Sequence, residues 1–225
     1  MMKQLTLPIA MARAPTLEGF SAGPNEPALA HLKLWAGSPT RSPVPTYLWG
    51  PTASGKTHLL LAVREALREQ GASVGWLDAS VREPDDFDER WAVVLMDDTH
   101  LYTAVQQHAA FSWFVQAQAL QRGVLAAGAL PPPDLRLRED LRTRLGWGHV
   151  FQLQVLSEPE RRAVLRQAAD GRGVFLSDEV MDFMLTRFSR DLGHLMQLLE
   201  QLDAYALQTQ RAITIPLIKS MLEQD

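Results

Sequence analysis

Eight consecutive residues, Gly50-Pro51-Thr52-Ala53-Ser54-Gly55-Lys56-Thr57, carry a chemistry that type and spacing make legible. Two glycines and the small residues between them let backbone N–H groups curl round a β-phosphate. Lys56 then reaches the β and γ oxygens, and the Thr57 hydroxyl joins the shell of a Mg²⁺ ion. His58 follows directly. A Gly/Ser/Thr-rich turn could match by chance, but the flanks are right for a phosphate cradle. Tyr47-Leu48-Trp49 reads as a short buried strand, and residues 57–70 as a helix whose positive N-terminal end faces the phosphates, stopped by Gly71.

A second set of chemical residues closes an apolar run. Val93-Val94-Leu95-Met96-Asp97-Asp98 reads as a buried strand ending in two carboxylates. Asp97 stands where a metal-coordinating acid belongs, and Asp98 where a side chain could orient or deprotonate an attacking water. The competing reading is that these acids cap the next helix near Thr103. A third set is Leu141-Arg142-Thr143-Arg144-Leu145-Gly146-Trp147-Gly148. An arginine after the fourth strand, at a domain edge, can stabilise transition-state charge on a nucleotide held by a neighbouring molecule. With Arg136, Arg138 and Arg142 close by and acids interspersed, a solvated basic face fits the spacing equally well. Six scattered histidines make no metal spacing, and His58 and His100 are read as packing or capping groups.

The elements that must position these groups follow an alternating pattern. Apolar runs at Val74-Gly75-Trp76-Leu77, Val93-Val94-Leu95-Met96, Val124-Leu125-Ala126-Ala127 and Val150-Phe151-Gln152-Leu153 alternate with helical stretches. Strands separated by helices predict a parallel sheet covered on both faces. A further helix is expected over residues 28–36. From Ser157 onward only helices are expected: Ser157-Glu158-Pro159-Glu160 is a capping box with proline in the first turn, Ser177 and Ser189 are N-caps, and residues 215–222 form a last amphipathic segment. Residues 1–18 hold Pro8 and Pro15, show no period and read as a flexible tail. The expected organisation is therefore a tail over 1–18, an α/β nucleotide domain over 19–155 and a small all-helical domain over 156–225.

The 225 residues are 46% hydrophobic and 21% charged, with a net charge of −4 and a pI near 5.9. This is enough apolar material for a full core, and the charge gives no general attraction for DNA. The absence of cysteine excludes disulfides and thiolate metal sites. No apolar run or leader pattern points to a membrane or to export, so the expected location is the cytoplasm.

The order of these motifs resembles the AAA+ ATPases of the DnaA initiator branch, in particular their short paralogues without the initiator's C-terminal DNA-binding helices. The matching residues are Tyr47-Leu48-Trp49-Gly50, Lys56-Thr57-His58-Leu59-Leu60, Asp97-Asp98, Arg142 to Gly148, and Ile213-Thr214-Ile215-Pro216-Leu217-Ile218-Lys219. The resemblance implies a bacterial replication regulator holding ADP or ATP with Mg²⁺ through residues 50–58 and Asp97, and offering Arg144 to ATP-bound DnaA. The 156–225 segment becomes the lid. It also gives the tail a meaning: Gln4-Leu5-Thr6-Leu7-Pro8-Ile9 looks like a peptide that docks on the DNA polymerase III β sliding clamp. There the Gln4 amide would anchor, Leu5, Leu7 and Ile9 would fill apolar pockets, and Pro8 would lower the ordering cost. No sequence-specific DNA binding and no membrane partner are expected, and a homodimer is left open.

Two departures from the family pattern bear on mechanism. The fourth strand runs into Ala126-Ala127-Gly128-Ala129-Leu130, where the family places a polar residue, and none of these side chains can hydrogen-bond. Gly193 aligns with the family's nucleotide-sensing arginine, with Arg190 one helical turn earlier, about 4.5 Å along the axis. The expectation is a protein that binds nucleotide, turns it over weakly at most, and activates hydrolysis in trans. The competing functions are an autonomous ATPase such as a helicase loader, and a nucleotide-stabilised clamp-binding scaffold.

Overall fold

The computed structural model describes residues 15–188 and 192–222. After a first helix, α1 (Glu26–Gly37), the chain alternates between strands and helices. It runs through β1 (Thr46–Trp49), α2 (Lys56–Glu69), β2 (Ser73–Leu77), β3 (Trp91–Met96), α3 (Ala104–Ala119), β4 (Gly123–Gly128), α4 (Glu139–Leu145) and β5 (His149–Gln152). The five strands form one parallel sheet in the order β2-β3-β4-β1-β5. Thr46 to Trp49 pair in register with Leu125 to Gly128 on one side and His149 to Gln152 on the other. Each expected strand lies within two residues of its apolar run, because a central parallel strand buries both faces.

Strand periodicity divides that burial between two layers. Leu48, Val93, Leu95, Leu125 and Ala127 point to the face covered by α1 and α2, where they meet Leu32, Leu60 and Val63. Tyr47, Val94, Met96, Val124 and Ala126 point to the opposite face, against Trp113, Phe114 and Ala117 of α3 and Leu141 and Leu145 of α4. Helices α2 and α4, which carry Lys56 and Arg144, therefore cover opposite faces of the sheet.

One connection departs from expectation. Residues 78–90, which join the adjacent parallel strands β2 and β3, contain no helix. Pro84 and six acids are poor helix material, and side chains of α3 hold the segment instead. Gln106 Nε2 donates to the carbonyls of Asp78, Ala79 and Val81 at 3.2, 3.1 and 2.8 Å. Trp113 Nε1 donates to that of Asp85 at 3.0 Å. Backbone acceptors that a helix would have satisfied are met from outside.

After β5 the chain is helical: α5 (Glu158–Asp170), α6 (Asp178–Arg187), α7 (Leu192–Thr209) and α8 (Ile215–Leu222). The Glu160 carboxylate accepts from the Ser157 N–H at 2.7 Å, as the capping box requires. Ser177 accepts from the Val180 N–H. Ser189 and the tail residues 1–14 lie outside the described residues. Leu165, Met181, Met184, Leu195, Leu199 and Ile218 fill a core of their own, drawn wholly from this segment. Among the described residues, no helix is long and apolar enough to cross a membrane.

Candidate nucleotide-binding site

The phosphate loop leaves β1 at Gly50, whose N–H donates to the Gly128 carbonyl at 3.3 Å. This ties the loop to the tip of β4. A Cβ on Gly50 would lie 2.2 Å from the Leu153 carbonyl oxygen, so no larger residue fits. Pro51, Thr52 and Ala53 are exposed at the crest, Ser54 is buried, and Ala53 and Gly55 take φ values of 64° and 94°. Such left-handed turns aim successive N–H groups into one concavity, which suits an anion. Gly55 also has Phe20 against it, 2.6 Å from where a Cβ would stand.

Lys56 opens α2 and is only 7% exposed. Its ammonium donates to the carbonyls of Gly50 and Pro51, each at 2.8 Å, and so spans the loop it must serve. Burial lowers its pKa, opposed by the charges of Asp97 and Asp98. Asp97 directly follows β3 at 2% exposure, with its N–H on the Leu77 carbonyl. Desolvation raises its carboxyl pKa, while a hydrogen bond from the Thr57 hydroxyl pulls it down. A hydroxyl and a carboxylate held together on the strand-end side of the loop are the hard oxygen donors Mg²⁺ prefers. Among the described residues no cluster of three or more His, Asp or Glu could hold a metal alone. A Mg²⁺ ion shared with phosphates needs none, so the donor set fits a Mg-nucleotide.

Asp98 is half-buried in a left-handed backbone conformation, φ 49° and ψ 37°, beside Asp97 and Thr57 in one open groove. It caps no helix with its side chain. The start of α3 is taken by Thr103 and Gln106, where the Gln106 side chain accepts from the Thr103 N–H at 2.8 Å.

The tip of β4 carries the groups that sequence reasoning missed. Tyr47 Oη donates to the Leu130 carbonyl at 2.9 Å, Thr99 Oγ1 to that of Ala127 at 3.0 Å, and the Ala129 N–H donates to His100 Nδ1 at 3.2 Å. Burial pushes the Tyr47 phenol up to about 12, against a hydrogen bond with Thr99. Because Nδ1 accepts, the neutral His100 ring carries its proton on Nε2. Polar groups that the β4 side chains lack are thus brought from β1 and from the turn after Asp98. His100 had one sequence signal, its place two residues after the acid pair.

The segment preceding α1 packs between loop and lid. His58 Nε2 lies 3.4 Å from the Thr16 carbonyl, and its ring lies 5.6 Å from that of Phe20. Asn25, 2% exposed, donates to the Gln154 carbonyl at 2.9 Å and accepts the Gln154 N–H at 2.8 Å. A Cβ on Gly23 would touch Leu156 and Glu160. The stretch around Gly23 and the junction near Leu156, far apart in sequence, form one wall.

On the other face of the sheet, Arg138 forms a two-pronged pair with Asp140, both bonds at 2.7 Å. Among the described residues neither Arg142 nor Arg144 pairs with a carboxylate. The half-buried Arg144 guanidinium lies 5.4 Å from the centre of Phe111 and 5.9 Å from that of Phe114. Trp147, just beyond α4, is 67% exposed. Gly193 lies in the first turn of α7. The Gln4 to Ile9 peptide and Arg190 lie outside the described residues.

With this geometry in view, comparison with known proteins places the chain. Residues 158–222 match the family model described as the Hda lid domain. An uncharacterized protein of Haemophilus influenzae is 35% identical over 99% of both chains. Domain III of the DnaA replication initiation protein of Thermotoga maritima superposes with a TM-score of 0.74 at 20% identity, over 93% of this chain and 95% of that one. The chain carries an Hda-type lid behind a sheet domain of the DnaA-like fold. AMPPCP-bound DnaA of Aquifex aeolicus is also similar, with a TM-score of 0.67 and 20% identity over 86% of this chain and 66% of that one. The Hda-like lid is the separately cored α5–α8 segment, and the DnaA-like sheet is the part that holds Lys56, Thr57 and Asp97.

Proposed function

We propose that this Hda-like protein is a clamp-tethered regulator that holds ADP or ATP with Mg²⁺ and switches off DnaA by offering Arg144 to the ATP bound there. The observation that carries this reading is the separation of two half-sites. A complete phosphate cradle, Lys56 with Thr57 and Asp97, opens α2 on one face of the sheet. An arginine without an acid partner stands on α4 over the other. An arginine on the face away from its own phosphate loop suits a neighbour's nucleotide better than its own. A bound nucleotide would supply the phosphates that complete the Mg²⁺ shell. The chain's part is to cradle them with the N–H groups of residues 50–57, neutralise them with Lys56 and orient the metal through Thr57 and Asp97. Asp98 is the weak candidate for a base, and the side chains of Ala127 and Ala129 support slow turnover here.

Hydrolysis then takes place on DnaA, where the Arg144 guanidinium meets charge that develops only in the transition state. Gln4, Leu5, Leu7, Pro8 and Ile9 tether the protein to the β clamp. Two variants separate tether from trigger. Gln4→Ala is expected to lose clamp binding and keep nucleotide, whereas Arg144→Ala keeps clamp and nucleotide binding and loses DnaA inactivation. Failure of both at the same step would contradict this division. The autonomous ATPase is favoured by one observation, His100 at the tip of β4, and its mark would be phosphate release rising steeply with the protein's own concentration.

A further inference from the structure

We propose that Phe111 is a positioning residue for Arg144: its ring holds the guanidinium in place without neutralising it. The inference rests on Arg144 acting in trans. A cation meant for a partner's phosphates poses a conflict. A carboxylate partner would fix the side chain but would compete with the phosphates, and an unheld arginine would spread over many rotamers. An aromatic face resolves this, since its quadrupole attracts a cation within about 6 Å while leaving the charge available.

The geometry around Phe111 has the required asymmetry. Two guanidiniums lie against this one ring, Arg138 at 4.6 Å and Arg144 at 5.4 Å from its centre. Arg138 is neutralised by both oxygens of Asp140, and its backbone N–H donates to Gln107 Oε1 at 2.9 Å. Among the described residues Arg144 has no such acid, and the second ring beneath it, Phe114, is fully buried. The shelf is rigid as well. It stands on α3, whose first turn is locked by Thr103 and Gln106 and whose inner face is fixed by Trp113 and Phe114. One arginine thus belongs to the support, and the other is presented by it.

The test is hydrolysis of DnaA-bound ATP as a function of the concentration of this protein, for wild type, Phe111→Leu, Phe111→Met and Phe111→Tyr. Nucleotide affinity and thermal midpoint are measured in parallel to show that each variant is folded. Removing the ring is expected to lower the maximal stimulated rate about 10- to 100-fold, the scale of a small misplacement of a catalytic group. The half-saturating concentration should move less than about twofold, since an interaction used in the transition state is lost rather than one used in docking. Phe111→Tyr, which keeps the ring face, should recover to within about threefold of wild type. Leu and Met variants that reach the wild-type maximum beside an inactive Arg144→Ala would overturn the role of Phe111 alone, as would a Tyr variant no better than Leu. An Arg144→Ala protein that stimulates as wild type does would remove the in-trans reading itself, and this proposal with it.

Discussion

Replacing Asn25 by Ala removes a side chain that joins the entry of α1 to the strand-exit segment 129 residues later. Asn25 occupies the N-cap position of α1 yet makes no capping bond with its side chain. It spends its amide on Gln154, donating at 2.9 Å and accepting at 2.8 Å. Leaving a buried backbone donor and acceptor unpaired costs roughly 1–3 kcal/mol each. Gln154 is exposed, so water regains part of the lost pairing. The cost therefore falls at about 2–3 kcal/mol, low in the summed range. For a chain of this size about 1 kcal/mol moves the thermal midpoint by about 2–4 °C, so the expected fall is about 4–12 °C by calorimetry. Asn25→Asp keeps the acceptor for the Gln154 N–H but sets a carboxylate oxygen against the Gln154 carbonyl. It should be destabilised near neutral pH and recover as the carboxyl protonates. An Ala variant within about 0.5 kcal/mol of wild type, the scatter of an ordinary surface change, would refute the reasoning.

Gly50→Ala drives a Cβ to 2.2 Å from the Leu153 carbonyl oxygen, a backbone atom that cannot swing away. Overpacking of this kind costs about 1–3 kcal/mol before any effect on the phosphate loop, and a denaturant midpoint equal to wild type would contradict it. Acid stability is expected to decline through His31. Its half-buried ring lies 4.6 Å from that of His149, and burial first, then that neighbour, lowers its pKa from 6.5. The unfolded chain therefore takes up the proton more readily. Stability is full above about pH 6.5 and falls as pH drops through the folded-state value. Part of that slope should be absent in His31→Gln, and a midpoint-versus-pH curve unchanged by the substitution would count against it. His58, lowered by burial against a hydrogen bond that its Nε2 donates to the Thr16 carbonyl, adds loss in the same direction.

How much of this was legible in the sequence depended on whether a feature was local. The strands were, because a doubly covered parallel strand is a continuous apolar run, and so was the phosphate loop, whose spacing is its geometry. Residues 78–90 were not, because the groups that hold them, Gln106 and Trp113, come from another helix and leave no periodic trace. The same holds for Asn25 with Gln154 and for Tyr47, Thr99 and His100 around the tip of β4, where side chains from elsewhere serve backbone groups of a strand that has none to offer. The basic stretch from Arg136 to Arg144 left a finger and a solvated face equally open. What separates its members in space is that Arg138 has an acid and Arg144 has only rings.

The most direct measurement of the central claim is single-turnover hydrolysis of ATP preloaded on DnaA, mixed with DNA-loaded clamp and this protein saturated with ADP. Wild type is expected to accelerate the turnover, and Arg144→Ala, still bound to clamp and nucleotide, to return it to the rate of DnaA alone, a loss on the order of 10³-fold or more for an arginine supplied in trans. Equal acceleration by wild type and Arg144→Ala would contradict the account.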